Sequence, residues 1–175
     1  MTTRRQFMFV VAAGLGSALL SGCTLFGSAD FELVRVSDRE AAAAINAIRA
    51  RNGLGSLTHS RSLQVIASQQ ARWMAEADRL AHEVRADLGL AGRIARAGYQ
   101  GIAGENISAG YTSLASVIDG WMASPEHRHN MLGPDFTEFG IAAARVGPGR
   151  QSRYGVYWAL VLGAPATARV NPGLA

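Results

Sequence analysis

After Pro134 the chain changes its hydrophobic period, and that change limits what the rest of it can fold into. TEFGIAAARV (137–146) and RYGVYWALVLG (153–163) are rich in aromatic, β-branched and small apolar residues. GPGRQS separates them and carries the Gly and Pro of a turn. Two such runs around one turn read as an antiparallel hairpin. A lone hairpin is marginal in water and must lay its apolar surface against other elements. The preceding chain therefore has to supply covering layers.

It does so with helical patterns. SDREAAAAINAIRARNG (37–53) opens with Ser37 and Glu40 in capping-box spacing, repeats Ala41, Ala44, Ile45 and Ile48 on one side, and stops at Asn52-Gly53. A second helix is expected from about Ser60 to Arg79, lined by Leu63, Ile66, Ala67, Gln70 and Met74 and widened by Trp73. A third is expected over about Arg85 to Ala97, with Leu88, Ala91 and Ala95 on one face and Gly98 at its C-terminal cap. Leu114, Val117, Ile118, Trp121 and Met122 form an i, i+3, i+4, i+7, i+8 stripe on a fourth, from about Ser113 to Met122. Gly104 to Ala109, GENISA, reads as a third short strand. The order of helices, short strand, helix and hairpin implies an α+β domain with helices packed on a small sheet.

SPEHRHNMLGP (124–134) places two histidines two positions apart, a spacing often met in metal sites. The segment is punctuated as a complete short helix, with Ser124 at the N-cap, Pro125 at the first turn, and Gly133-Pro134 ending it. Helical residues advance by about 100° each, so His127 and His129 point roughly 200° apart and cannot share an ion. His127 is expected on the side of Asn130 and Met131, and His129 elsewhere. Spacing alone leaves all four histidines, and Glu105 within GIAGEN, open to a purely structural role. Neither HExxH nor a Cys-His cluster occurs, and no G-x-S-x-G supplies a nucleophile.

The first residues read differently. In MTTRRQFMFVVAAGLGSALLSGC two arginines precede an apolar run, Phe7 to Leu20, and small residues lead to Cys23. The run is shorter than the roughly 18 residues a membrane-spanning helix needs, and it lacks the polar face of a core helix. Thr3-Arg4-Arg5-Gln6-Phe7-Met8 resembles a twin-arginine export signal, and Leu20-Ser21-Gly22-Cys23 resembles a bacterial lipobox. Cys23 is the single cysteine, so an internal disulfide is impossible and lipidation gives it a purpose. The resulting organisation is signal peptide 1–22, tether 23–36, domain 37–165 and tail 166–175. The formal charge of +4 falls to +2 once Arg4 and Arg5 are removed. All 17 basic residues are Arg and scattered, with no stripe, which argues against a nucleic-acid partner.

The motifs also carry a resemblance. MAEADRLAH, GRIARAGYQGIAGENISAG, WMASPEHRHNML, TEFGIAAAR and YWALVLG follow one another in an order similar to the bacterial branch of the CAP superfamily, the SCP-like extracellular domains, over about residues 38–163. The resemblance implies an α-β-α sandwich with a cleft above a small, mainly antiparallel sheet. It also implies that His82, Glu105 and His127 converge on that cleft, with Asn106 beside them. The second Glu of the animal branch is replaced here by Ser124, with Glu126 nearby, and the animal disulfides are absent. Two His and one Glu are a candidate zinc set, with a fourth position open, or else a hydrogen-bonded patch that orients a ligand. The implied function is a membrane-anchored, extracytoplasmic ligand-binding module on the periplasmic side of a bacterial membrane, with a lipid or other small envelope ligand and no established reaction. The alternative is a metal-dependent hydrolase acting on peptides or envelope polymers.

The anchoring expectation is directly testable. Cys23→Ser is expected to release the protein from the membrane fraction or to block its processing, read by cell fractionation and gel mobility. A variant that fractionates and migrates like the parent contradicts a lipid anchor.

Overall fold

The computed structural model describes residues 30–166. Arg4, Arg5, Cys23 and nearly all of the expected tail lie outside that range. The described chain runs β1 (Phe31–Val34), α1 (Asp38–Arg51), β2 (Thr58–His59), α2 (Arg61–Ala77), α3 (Leu90–Arg96), β3 (Gly101–Ala109), α4 (Leu114–Ala123), α5 (Pro125–Met131), β4 (Glu138–Val146) and β5 (Val156–Pro165). Among these residues no helix is long and apolar enough to cross a membrane.

The expected hairpin forms the centre of the sheet. β4 and β5 pair antiparallel from Glu138↔Gly163 to Arg145↔Val156. The strand order is β1-β4-β5-β3, all antiparallel, and the two-residue β2 adds to β4 in parallel. Successive strand residues face opposite sides. Phe139, Ile141, Trp158, Leu160 and Leu162 pack with Ile45 and Ile48 of α1, Val117, Ile118 and Trp121 of α4, and Met131 of α5. Ala142, Ala144, Tyr157, Ala159 and Val161 pack with Leu63, Ile66, Ala67, Ala71 and Met74 of α2, and with Leu90 and Ile94 of α3. Both faces are covered, which is why almost every residue of β4 and β5 is buried. This is the expected α+β fold, an α-β-α sandwich of five helices on a mainly antiparallel sheet. α2 lies so close to β4 that a side chain at Gly140 would run into the backbone of Leu63 and Gln64.

Three elements differ from the sequence reading. Phe31–Val34, placed in the tether, pairs with Val146–Ala143 as an edge strand. Its Glu32 and Leu33 are exposed, so apolar alternation does not mark it. β3 begins at Gly101 rather than Gly104 and runs in register with β5 for nine residues. Gly101 reads as a turn residue, yet it serves the strand: at φ 151° its missing Cβ makes room for the Ala164 carbonyl oxygen. α3 starts at Leu90, not Arg85, because Asp87 takes a left-handed φ of 61°. The later start changes the inward face. Leu90, Arg93, Ile94 and Ala97 turn to the sheet, whereas Ala91 and Ala95 are exposed.

The end of α2 is tied to the β4–β5 loop. Asp78 caps the helix in the left-handed region (φ 46°), and its carboxylate accepts from the Ser152 hydroxyl, from the Tyr157 hydroxyl at 2.7 Å and from the Arg153 amide at 3.3 Å. The Ser152 bond first, then the Tyr157 bond, holds the Asp78 carboxyl below its ordinary range, against the opposing effect of desolvation. A carboxyl depressed in the folded state contributes stability that is present above its unfolded value of about 3.9 and is lost as pH falls through the folded value. The gap in urea midpoint between the parent and Asp78→Asn is therefore expected to be widest at neutral pH and to shrink below about pH 3.9. A gap that stays constant down to pH 3 contradicts this role.

Candidate functional site

The site starts from β3, an edge strand whose alternation sends neighbouring residues to opposite faces. Glu105 sits opposite Val161 of the α2–α3 layer, and Asn106 sits opposite Leu160 of the α1–α4–α5 layer. Both are buried. An unpaired carboxylate in such a place would lose its hydration without return.

Arg93 supplies the partner. From α3 its Nη1 donates to Glu105 Oε2 at 2.7 Å and its Nη2 to Oε1 at 3.0 Å, with the two side chains 0% and 2% exposed. This two-pronged, charge-assisted geometry is the strong form of the interaction. His82 Nδ1 stands 2.8 Å from the same Oε1. Since a carboxylate only accepts, Nδ1 carries the hydrogen in this contact. The His82 side chain remains 59% exposed, so the cluster grades from a dry ion pair to a wet imidazole.

His82 lies in the non-helical connection between α2 and α3, and buried side chains hold that connection through its carbonyls. Gln70 Nε2 donates to Ala81 O at 2.6 Å, and Arg93 donates to His82 O at 3.4 Å and to Leu88 O at 3.3 Å. Arg79 adds bonds to Glu83 O and Val84 O. Gln70, which sequence periodicity places on the apolar face of α2, is there to position this connection.

On the opposite face α5 is stapled to β3. Asn106 Nδ2 donates to His127 O at 2.9 Å. Asn130 Nδ2 donates to Asn106 Oδ1 at 2.9 Å and to Glu105 O at 3.3 Å. The His127 ring is half-buried, with Nδ1 at 2.9 Å from Ser124 Oγ. Desolvation, and then the proximity of His82, lower its pKa below the ordinary imidazole value, with Glu126 opposing. His82 and His127 thus influence one another around the edge of β3, but only His82 touches Glu105.

His129 turns away, as the helical spacing requires. It is exposed and lines a cleft of about 650 Å³ with Ile102, Arg128, Asn130, Leu132 and Phe136. Asn130 belongs both to this wall and to the Asn106 network. The turn after α5 that forms the rest of the wall is fixed from behind by the buried Arg49. Its guanidinium donates to Met131 O at 3.1 Å, Gly133 O at 3.0 Å and Phe136 O at 3.3 Å, and its Nε donates to Gly55 O at 2.7 Å. Burial works against the Arg49 charge, and four carbonyl oxygens compensate it. A side chain at Gly133 would press into the Phe136 ring.

The candidate zinc set does not meet this geometry. Among the described residues, no group of three or more His, Cys, Asp or Glu side chains stands close enough to hold one metal ion. Both Glu105 oxygens already accept from Arg93, and Ser124 is engaged with His127. The donors as placed do not fit a divalent ion. Arg93 and Arg49 escape periodicity and spacing, which place Gln70 and Asn130 on helix faces without giving them a role. Arg93, Arg49 and Gln70 share one signal, a long polar side chain on the apolar phase of a helix.

Comparison with known proteins adds an independent line. The sequence pattern of CAP, described as the cysteine-rich secretory protein family, matches residues 42–162. An uncharacterized Bacillus subtilis protein, YkwD, is 42% identical over 45 residues, 26% of this chain and 18% of that protein. An extracellular protein containing an SCP domain from Bacillus anthracis superposes with a TM-score of 0.60 at 24% identity, over 71% of this chain and 39% of that one. An outer surface protein of Borrelia burgdorferi gives 0.63 at 16% identity, over 77% of this chain and 99% of that one. The chain thus spans only a minor part of the two Bacillus proteins and nearly all of the Borrelia one. At these identities the structural likenesses show the fold.

Proposed function

The chain belongs to the CAP, or cysteine-rich secretory protein, family, and from that premise we propose that it is an extracytoplasmic module that binds a small ligand of the bacterial cell envelope while held to the membrane through a lipidated Cys23. The similar solved structures are described as an extracellular and an outer surface protein, which supports an exported location. The leader residues Arg4-Arg5 and the Leu20-Ser21-Gly22-Cys23 segment support export and anchoring on the periplasmic side.

One observation carries the preference for binding over cleavage. Both oxygens of Glu105 are committed to a buried guanidinium. A general base must reach the proton it takes, directly or through one water, and the Glu105 side chain is 2% exposed. Glu105 has the geometry of a fixed structural anion instead. The His/Glu cluster then acts as a rigid polar flank that sets the position of α5 and of the His82 connection.

The cleft beside α5 supplies the place for a ligand. Its volume falls within the range of about 300–1,000 Å³ usual for small-molecule sites. Ile102, Leu132 and Phe136 provide apolar surface, while Arg128, His129 and Asn130 provide polar groups for orientation. That lining suits an amphipathic molecule, a lipid or a comparably small envelope component.

Mass spectrometry of what co-purifies with the protein from bacterial membranes tests the reading. The parent is expected to carry a discrete apolar envelope component, and Leu132→Glu, which places a charge in the cleft wall, is expected to lose it. A parent that carries nothing and instead turns over envelope peptides or polymers contradicts the proposal.

A further inference from the structure

We infer that the guanidinium of Arg93, and not a divalent metal ion, is the cation around which the His82–Glu105 cluster is built. This property belongs to the cluster itself and stands whatever ligand the neighbouring cleft takes.

Glu105 offers two oxygens, and Arg93 engages both, at 2.7 and 3.0 Å, with His82 Nδ1 adding a third contact to Oε1 at 2.8 Å. A zinc ion held by both Glu105 oxygens would need them at about 2.0–2.2 Å, inside the space these nitrogens occupy. It would have to displace the fork. Arg93 is poorly placed to leave, because its side chain is fully buried and three apolar neighbours in the chain, Leu90, Ile94 and Ala97, hold the same face against the sheet. Its Nε and Nη2 are also bonded to Leu88 O and His82 O. Withdrawing the guanidinium would abandon a carboxylate and two carbonyls together.

Charge balance points the same way. One carboxylate is neutralised by one guanidinium, so the pair has no negative charge left to attract a dication. Glu126, the acid nearest in sequence to His127, is exposed on α5 and makes no bond to this cluster. The position that would bring a second acid holds Ser124, whose hydroxyl is bonded to His127 Nδ1. The planar fork also orients the carboxylate in a way a spherical ion cannot, which fixes the oxygen that receives His82.

It follows that removing the guanidinium strands the carboxylate and that zinc does not take its place, because Glu105 and His82 are two donors where a zinc site takes three or four. In Arg93→Met the Glu105 carboxylate keeps only the His82 contact and lies against an apolar side chain with an uncompensated charge. The full-length protein in detergent, its Arg93→Met variant and the double variant Arg93→Met/Glu105→Gln are equilibrated with zinc at pH 7.5 and dialysed. Bound metal is then counted by elemental analysis, and thermal midpoints are recorded with and without zinc. The parent is expected to hold no zinc that depends on Glu105, and its midpoint is expected not to move. Arg93→Met is expected to hold none either and to have a lower midpoint than the parent, with or without zinc, and the double variant is expected to recover part of that loss. A parent that holds one equivalent, removed by Glu105→Gln, overturns the inference. So does an Arg93→Met variant whose midpoint matches that of the parent without zinc, or is restored to it by zinc. Should Arg93→Met fail to fold with or without zinc, the comparison of the parent with Glu105→Gln decides alone.

Discussion

A buried carboxylate on an edge strand is the constraint from which the rest of this site follows. Glu105 lies inside the α2–α3 layer, where an isolated charge would cost several kcal/mol even after relaxation. The chain answers with one buried arginine whose two nitrogens meet both oxygens. Such a pair gains little net stability over apolar residues of the same size, but breaking it from one side is expensive. Its value here is positional. It fixes the phase of α3 against β3, and through the Leu88 and His82 carbonyls it fixes the long connection from α2. His82 reaches Glu105 because the connection is held, not because His82 is buried.

A second arginine plays the matching part on the other face. Arg49 has no acid partner among the described residues; four carbonyl oxygens receive its protons. Those carbonyls belong to the turn before β2 and to the end of α5 with its following turn. Arg49 therefore sets the wall of the cleft from the core side, while the Asn106–Asn130–His127 network sets it from β3. The two histidines of α5 are divided by this arrangement. His127 leans toward the ion-pair edge and His129 toward the cleft, and the short helix between them is a partition with a different chemistry on each side.

Much of this was legible before the structure. The Ser37 and Ser113 starts are local signals, set by backbone groups within a turn of the residues that cap them; the α4 stripe and the Ser124-Pro125 opening of α5 are local too, although the Ser124 hydroxyl bonds the His127 ring and not the helix backbone. The hairpin was legible because period and turn chemistry agree there. What stayed hidden depends on distant partners. Phe31–Val34 is a strand only because β4 offers an edge. Gly101 extends β3 only because the Ala164 carbonyl comes close. The family resemblance pointed to His82, Glu105 and His127 but said nothing of Arg93, since an arginine in a helical run reads as solvated until the phase of that helix is known. Once α3 begins at Leu90, Arg93 falls on the apolar face, and its guanidinium needs buried acceptors, which Glu105 supplies.

If Arg93 and Glu105 act as one unit, a double-mutant cycle followed by urea unfolding at pH 7 reads their coupling without a ligand or an assay. Arg93→Met alone is expected to cost about 3–5 kcal/mol, because it strands a buried carboxylate. Arg93→Met combined with Glu105→Gln is expected to cost clearly less than the sum of the two single changes, with a coupling of about 2 kcal/mol or more. Additivity within about 0.5 kcal/mol would show that the two side chains are independent and that the site is not built on their pairing.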